Sequence, residues 1–476
     1  MNTIIGLYEE VSKKIALNNG DKKSMIRKQT AKDNNKKNFY IIIFFVIVIL
    51  AYHFLLREYI GDFREMFSPL MDTDTLGEAL GKRYETWSSR VFIEAPLILL
   101  AHNNGVLLWK VCNVLVWIAL ALSLMYLTHY KNNAMLIGLI LMYPVTDMAS
   151  AGWIATYINY LWPLTAGCIS LIALDKMYFD KRIYFPEAVM YLLLELFATN
   201  FETFGMMYAC ILLWCIGNLW YEKKIKLKKV CFWLLQMAIA VGNMIFALTC
   251  PGNFIRKQEE IGRWLKDFAQ WTVVDKLVMG VNTTMHSLFD GNLVFAVFLL
   301  VLLINCLFYK KSDIKIRTVG MIPVAFLLSR TILKPIIAVY LPVYNQAFEV
   351  NNRINPMNYN KACMYFPFAI YIAMICIIVW MLLNTVESVG KSIKYIVVFV
   401  SALLTRVAMG FSPTLYASGN RTFIFLEFAI IFLTVCIYSE NEPKIRKNKN
   451  IYGILSYLFM GIVGITILGN LMSINC

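Results

Sequence analysis

Two carboxylates that follow the first apolar run are the leading candidates for catalysis. Asp72 and Asp74 flank Thr73, and Asp62 precedes them. Because side chains at i and i+2 cannot share a helix face, the pattern predicts a loop or turn. A carboxylate held just outside an apolar run could deprotonate an acceptor hydroxyl or take part in a cation site. The structural alternative is a solvated turn that ends in an N-cap at Thr75.

A second cluster combines an arginine with an aromatic ring. Trp87, Arg90 and Glu94 have i, i+3, i+7 spacing, which predicts one shared helix face. An arginine beside a tryptophan could bind a phosphate and stack against a sugar ring. The alternative is a surface ion pair between Arg90 and Glu94, with Trp87 as a membrane anchor.

A third group lies at the ends of later apolar runs. Trp153 is explained by an interfacial aromatic belt. Asn159 and Trp162 lie deeper, where an asparagine needs a partner or a wet cavity. Glu202 follows Asn200 in a very short connection, which predicts Asn200 as the N-cap of a helix with an acid in its first turn.

Two Gly-Asn turns with a following arginine complete the candidate set of binding residues. One turn contains Asn253 and Arg256, and the other contains Asn420 and Arg421. Arginine binds phosphate through two parallel hydrogen bonds. For each turn alone, the alternative is a plain loop with an arginine reaching toward the membrane interface.

The composition places these residues in a membrane protein. Hydrophobic residues make up 59% of the 476, charged residues 16%, and the mean hydropathy is +0.60. Soluble domains are about 45–50% apolar and about 25% charged, so a soluble enzyme, a disordered chain and a fibrous protein are excluded. Most of the 11 cysteines lie in apolar runs and no C-x-x-C occurs, so neither a disulfide framework nor a zinc site is expected. We predict no cofactor and no metal-ligating residues, and the sequence does not decide whether a divalent metal is required.

The sequence predicts an all-α polytopic integral membrane protein of about 13 transmembrane helices. A spanning helix needs about 20 apolar residues. Thirteen runs are candidates, of which 134–147 and 186–199 are short, and 318–342 is expected to break near Arg330. They are 39–56, 105–128, 134–147, 154–174, 186–199, 203–220, 230–250, 291–309, 318–342, 363–383, 395–410, 422–438 and 451–471.

The distribution of positive charge predicts the orientation. With the N-terminus inside, the inner connections carry 28 Lys and Arg against 11 Asp and Glu. The outer connections carry 15 Lys and Arg against 16 Asp and Glu, if Asp147 at their edge is included. Cytoplasmic loops collect Lys and Arg, so we predict a cytoplasmic N-terminus and, after an odd number of spans, an external C-terminus.

The predicted organisation is a basic cytoplasmic segment, 1–38, followed by one transmembrane domain, 39–471. Its long outer loops are 57–104, 251–290 and 330–362, and no separate soluble domain is expected.

Two of these outer loops are expected to form interfacial helices. Trp264, Phe268 and Trp271 fall at i, i+4 and i+7, which predicts an amphipathic helix in the membrane interface. The segment 84–102 is expected to behave likewise.

At these residues the chain resembles a family of bacterial polytopic proteins usually described as membrane glucosyl- or glycosyltransferases that carry a domain of unknown function. The resemblance is carried by R-Y-x-T-W-S-S-R at Arg83 to Arg90, G-W…N-Y-x-W-P at Gly152 to Pro163, Glu202, and P-G-N-x-x-R at Pro251 to Arg256. More widely, the chain is similar to the GT-C class of membrane glycosyltransferases.

That resemblance implies interfacial helices and a catalytic acid in the first outer loop, with a polyprenyl-phosphate sugar as donor. The best match to the acid is Asp74 or Asp72. Arg90, Arg256 and Arg421 would bind phosphate, and Trp87, Trp153 and Trp162 would contact sugar or lipid. The expected activity is hexose transfer to a cell-envelope glycan or glycopolymer at the outer face of a bacterial plasma membrane.

Two rival functions remain open. A polysaccharide polymerase or ligase would share the topology, but would depend on a large outer loop rich in Arg and His. A lipid-linked oligosaccharide flippase or other transporter would place ionisable residues near the midplane, often in two related halves. The candidates for such residues are Glu195, Arg406 and Glu427, and the sequence contains no internal repeat.

Overall fold

In the described part of the chain, all regular secondary structure is helical. The structure is a computed structural model that describes residues 36–58, 61–223, 227–309, 313–349, 358, 360–386 and 388–475. The predicted all-α class is confirmed. Most of the predicted basic segment, residues 1–35, lies outside the described residues.

Twenty α-helices are described, and several of them join end to end. A π-helical turn, Tyr157–Leu161, links α6 to α7, so that one rod runs over Trp153–Tyr178. The helices are α1 (Lys36–Leu55), α2 (Leu76–Thr86), α3 (Val91–His102), α4 (Val106–Leu127), α5 (Asn133–Leu141), α6 (Trp153–Thr156), α7 (Trp162–Tyr178), α8 (Phe185–Thr199), α9 (Glu202–Tyr221), α10 (Leu227–Thr249), α11 (Pro251–Trp264), α12 (Val273–Phe289), α13 (Leu293–Phe308), α14 (Ile314–Arg330), α15 (Lys334–Tyr340), α16 (Pro342–Ala347), α17 (Phe366–Asn384), α18 (Val389–Val407), α19 (Ile424–Lys447) and α20 (Lys449–Asn475).

Nine helical stretches of the described chain are long and apolar enough to cross a bilayer, which identifies a multi-pass membrane protein. They contain α1, α4, α6 with α7, α9, α10, α17, α18, α19 and α20. Two pairs are bent, by 80° between α12 and α13 and by 76° between α14 and α15, and counting each pair as one span gives up to eleven.

The predicted number of thirteen spans is not confirmed, although each predicted run overlaps a helix. The two short runs form α5 and α8, of 9 and 15 residues. Both are shorter than the roughly 20 residues of a typical span. The predicted break near Arg330 is confirmed, because α14 ends there and α15 begins at Lys334.

Contacts between helix ends define two faces of the molecule. One, which we call the loop face, contains residues 61–105, the start of α9 and residues 408–423. The opposite face contains 128–132, the far end of α9 and 388–394. Since a 20-residue helix is about 30 Å long, α9 is long enough to place its two ends on different sides of a bilayer.

The first loop folds as two short helices. Thr75 is the N-cap of α2: its hydroxyl accepts from the Glu78 N–H, and its own N–H donates to the Glu78 carboxylate at 2.8 Å. The interpretation of Thr75 as a cap is therefore confirmed. Trp87 is the C-cap of α2 and Arg90 the N-cap of α3, so the predicted single helix face through Trp87, Arg90 and Glu94 is wrong.

The predicted amphipathic helix in the second long loop is interrupted. Helix α11 ends at Trp264, and Leu265 leaves helical geometry with φ −149° and ψ 78°. A 3-10 turn, Lys266–Gln270, follows, and it buries Phe268 beside Trp271. The continuous helix through Trp271 is wrong because those two rings turn into a small core instead of following the surface.

Candidate functional site

A cavity of about 680 Å³ opens at the loop face between the first loop, α9, α11 and the segment after α18. We call it the arginine cavity. Eight of the predicted site residues line it: Trp87, Arg90, Glu94, Asn159, Glu202, Asn253, Arg256 and Arg421. The other five, Asp72, Asp74, Trp153, Trp162 and Asn420, are not among its lining residues.

Arg90 and Glu202 form the ion pair that ties α3 to α9. The Arg90 guanidinium donates from Nη2 to the Glu202 carboxylate at 2.8 Å and stands 3.8 Å above the Phe201 ring. Ser89 donates to the other carboxylate oxygen at 3.1 Å. The adjacent carboxylate raises the pKa of Arg90. This arginine is fully charged but already paired, so it offers a phosphate only part of its donor set.

Asn200 holds the same junction from the other side. Its side chain accepts from the Phe92 N–H at 3.0 Å and donates to the Ser89 carbonyl at 3.1 Å. It is the C-cap of α8, and Phe201 is the N-cap of α9. The prediction that Asn200 is an N-cap is wrong, because its amide satisfies backbone groups of the first loop.

Glu94 pairs with Arg83 and not with Arg90. Arg83 donates from Nε and Nη2 to the two Glu94 oxygens at 2.8 and 2.9 Å, and both side chains are buried. The alternative of a surface pair between Arg90 and Glu94 is therefore wrong. A bidentate buried pair holds α2 against α3, and removing one partner leaves an uncompensated charge that costs about 3–5 kcal/mol.

Arg256 contributes free guanidinium donors to the cavity. It is half-buried and makes no hydrogen bond or ion pair with the described residues. Burial lowers its pKa, and the neighbouring charge of Arg90 lowers it further. A cation in this position favours the arrival of an anion, because two arginines that face one chamber repel each other until a negative group lies between them.

The residues before Arg256 bring it into the cavity. Pro251 starts α11, and Asn253 donates to the Ser89 hydroxyl at 3.2 Å. Gly252 and Asn253 lie inside the first turn of helix α11. The loop turn that was predicted for this Gly-Asn pair is therefore wrong. A Cβ on Gly252 would come within 2.2 Å of the Trp87 nitrogen, and this close approach seats α11 on the end of α2.

Arg421 enters from the far side of the cavity. Gly419, with φ +59°, provides the predicted turn, and Arg421 donates from Nη1 to the Ser150 hydroxyl at 3.1 Å. Its Nε is buried without a partner among the described residues. Asn420 points away and donates to Asp147 at 3.4 Å. Arg421 therefore keeps donors for a ligand while Asn420 anchors the turn.

Asp62 lines the cavity with a free carboxylate. Its backbone N–H donates to the Ala151 carbonyl at 3.2 Å, but its side chain makes no hydrogen bond or ion pair with the described residues. Burial raises its pKa, whereas the charges of Arg421 and Arg83 oppose that shift. A more basic carboxylate that faces solvent is suited to accept a proton.

Two glycines in close contact determine where Asp62 stands. Gly61 has φ +127° and Gly152 has φ +84°, and a Cβ on Gly61 would lie 2.8 Å from the Gly152 Cα. The nearby Glu58 carboxylate accepts from the backbone N–H groups of Trp153 and Ile154 at 2.8 and 3.3 Å. These contacts fix the end of the first span against the start of α6.

The predicted pair of catalytic carboxylates lies outside the cavity. Asp74 accepts from the exposed Lys82 ammonium at 2.7 Å. The Asp72 side chain is 66% exposed and is 3.9 Å from His102. Their exposure and partners are those of surface carboxylates, and their catalytic role remains a prediction.

Asn159 and Trp162, the two deep residues of the third group, lie in different parts of the fold. Asn159 donates to the Ala155 carbonyl at 2.9 Å and lines the cavity. Trp162 instead donates to Asn113 at 3.0 Å, and Asn113 contacts His53 at 2.8 Å. Trp162 therefore packs inside the helix bundle. It belongs to a series of hydrogen bonds that continues through Asn113 to His53, near the end of the first span.

Several cavity residues were missed by sequence reasoning. Thr156 and Tyr160 belong to a segment that was singled out. Thr156 lies three residues before Asn159 and four before Tyr160, and this helical spacing could have indicated both. Ser412, Thr414 and Ser418 line the cavity from a connection with no carboxylate or aromatic cluster, and no sequence signal indicated them. Among the described residues, no group of three or more His, Cys, Asp or Glu could hold a metal ion.

The fold and the site together define a class: a multi-pass helical membrane protein with a cationic, aromatic-lined cavity at one face. Comparison with protein-family models, with curated proteins and with solved structures finds no match for this chain.

Proposed function

We propose that this chain is an inverting, GT-C-like glycosyltransferase of the bacterial plasma membrane, which takes a hexose from a polyprenyl phosphate and transfers it to an envelope glycan. One observation carries the proposal: a single cavity at the loop face contains an unpaired carboxylate, Asp62, and guanidinium donors of Arg256 and Arg421 that no described residue occupies. The loop face is then the outer face, in agreement with the charge distribution.

The reaction needs a base, an anion site and a sugar platform. Asp62 takes the proton of an acceptor hydroxyl, whose oxygen attacks the anomeric carbon of the hexose. The bond between that carbon and the phosphate oxygen breaks, and the polyprenyl phosphate leaves with one more negative charge. Arg256 and Arg421 stabilise that charge. Trp87 and Tyr160 offer aromatic faces to the sugar ring.

Asp62 takes the role that the sequence assigned to Asp74 or Asp72. It also follows the first span and precedes Trp87 and Arg90 along the chain, so the order of features implied by the resemblance is kept. The choice rests on the cavity lining, which includes Asp62 and neither of the other two.

A transfer assay in membranes with a labelled polyprenyl-phosphate hexose pool tests the proposal. A positioned base contributes about 10²–10⁴-fold, so Asp62→Asn should lower the rate of transfer by that factor. The Asp72→Asn and Asp74→Asn variants should retain most of the wild-type rate of transfer.

Glu65→Gln is the matched control, because Glu65 is an exposed acid three residues from Asp62 and does not line the cavity. If Asp74→Asn abolished transfer and Asp62→Asn did not, the base would be the one predicted from sequence. No hexose transfer by the wild-type chain would refute the enzymatic proposal.

A transporter remains the second candidate because ionisable groups are buried in the helix bundle. Both carboxylate oxygens of Glu195 and two nitrogens of Arg406 have no partner among the described residues. Glu427 accepts from Asn292 but also keeps one oxygen unpaired. Buried ionisable groups of this kind often mark an ion or substrate path. Uptake or flipping of a lipid-linked sugar without transfer would favour this candidate.

A further inference from the structure

A second cavity, of about 420 Å³, lies at the opposite face. Tyr178 and Glu222 line it at the ends of the rod Trp153–Tyr178 and of α9, and the other ends of these two helices border the arginine cavity. We call it the lysine cavity. It shares no lining residue with the arginine cavity.

The inner wall of this cavity is apolar. It is formed by Leu164, Leu171, Phe204, Phe425, Phe428 and Phe432. A volume of about 420 Å³ is within the range of small-molecule sites. A surface of this kind gains free energy when hydrocarbon replaces water against it.

The acidic groups at the mouth of the cavity are already partnered. Asp175 lies 3.6 Å from His129 and 3.7 Å from Lys181. Glu440 accepts from Lys391 at 3.0 Å. Each of these two acids therefore already has a lysine within 4.0 Å.

The third acid of the mouth also has partners. Glu222 accepts hydrogen bonds from Asn218 at 3.0 Å and from Tyr178 at 3.2 Å.

Lys394 is different, because it has no hydrogen bond and no ion pair within 4.0 Å among the described residues, and the charge of Asp175 acts on it only from a greater distance. Its ammonium lies 5.7 Å from the centroid of the Phe432 ring, where the polar mouth meets the apolar wall. A half-buried charge is costly unless an opposite charge joins it. A ligand that fits must place one anionic group at Lys394 and an apolar chain among the phenylalanines.

We propose that the lysine cavity binds an anionic lipid from the leaflet of the opposite face, with a phosphate monoester on Lys394 and the first part of its hydrocarbon chain in the apolar interior. The proposal does not depend on hexose transfer, because it concerns residues that the reaction does not use.

Isothermal titration with dodecyl phosphate tests the inference. The purified chain is studied in a neutral maltoside detergent with Arg256→Met and Arg421→Met, so that the arginine cavity does not compete for the phosphate. We expect one saturable site. Lys394→Met should weaken binding about ten- to a hundredfold, as expected for loss of one charge-assisted hydrogen bond. Lys394→Arg should change affinity less than about threefold, since it keeps the charge.

Three further titrations separate the parts of the ligand. Dodecanol, which lacks the anion, and inorganic phosphate, which lacks the chain, should each bind at least tenfold more weakly. Leu171→Trp, which fills the apolar interior, should weaken dodecyl phosphate by at least tenfold. Unchanged affinity in the folded Lys394→Met variant, or equal affinity for dodecanol or inorganic phosphate, would overturn the proposal. So would full affinity in Leu171→Trp.

Discussion

At the scale of single residues, Glu58 and Asp62 show how the same chemical group takes two roles. Glu58 accepts from two backbone N–H groups at the start of α6, and burial raises its pKa to about 7. Asp62, four positions later, has no such donors and faces the arginine cavity. Glu58 therefore organises the loop, whereas Asp62 is left available for chemistry.

The raised pKa of Glu58 makes stability depend on pH. The folded state binds this proton more tightly than a Glu with the ordinary value of 4.5, so its contribution is full below pH 4.5 and is lost as pH rises through about 7. The shift corresponds to roughly 3 kcal/mol. We expect Glu58→Gln, which imitates the protonated form, to become more stable than wild type between pH 5 and 8.

Melting curves followed by tryptophan fluorescence in detergent check this expectation. The difference in melting temperature between Glu58→Gln and wild type should grow with pH and level off above about pH 8. Parallel pH profiles would show that the carboxyl is not the titrating group.

At the scale of elements, the arginine cavity depends on how closely α11 approaches the end of α2. Gly252 leaves no room for a side chain, because a Cβ there would lie 2.2 Å from the Trp87 nitrogen and 2.7 Å from the Tyr84 carbonyl oxygen. The contact places Arg256, one turn later on α11, in the cavity. A glycine in a helix usually weakens it, so this one is explained by packing.

Substitution at Gly252 should separate the two helices. We expect Gly252→Ala to lower the free energy of unfolding by about 1–3 kcal/mol, as overpacking does, and to reduce the activity that depends on Arg256. Gly262→Ala is the matched control on the same helix, since nothing lies within 4 Å of its Cβ position. That control should raise stability by about 0.4–1 kcal/mol. Equal effects of the two substitutions in a thermal unfolding assay would contradict the packing argument.

The sequence singled out many of the residues that line the arginine cavity, but not their pairings. Spacing along the chain singled out Arg90, Glu202 and Arg256, which the fold brings together. It paired Arg90 with Glu94 because it assumed one continuous helix, whereas the chain breaks at Ser88 and Ser89. Asp62 ranked below Asp72 and Asp74 because no second acid stands beside it in the sequence, and the absence of a partner for its carboxylate is visible only in the folded chain.

At the scale of the whole molecule, hydrophobicity was the strongest signal. Thirteen apolar runs were predicted, and each overlaps a helix of the described chain. Length and composition support nine spans, or up to eleven. The difference comes from short buried helices such as α5, whose residues 136–141 are all buried, and from the bends beside α13 and α14. The break after α14 was predicted from the sequence, whereas the bend between α12 and α13 was not.

The orientation of the two faces is tested by labelling single cysteines in a cysteine-free background. Lys266 is exposed at the loop face and Lys449 is exposed at the opposite face. We expect Lys266→Cys to react with a membrane-impermeant maleimide on intact cells, and Lys449→Cys to react only after the cells are opened. The reverse pattern would place the arginine cavity on the cytoplasmic side. A polyprenyl-phosphate donor in the outer leaflet could then not bind in it.

The two cavities are separated by a thin layer of aromatic rings. Phe201 lines the arginine cavity and Phe425 lines the lysine cavity, and their ring centroids are 5.0 Å apart. If water fills both cavities, most of the membrane voltage falls across this layer and not across the full bilayer. Each elementary charge that crosses it then costs or gains about 2.3 kcal/mol per 100 mV. A phosphate that reacts within the arginine cavity never crosses that field, whereas a transported anion must do so, and the rival functions therefore differ in their electrical work.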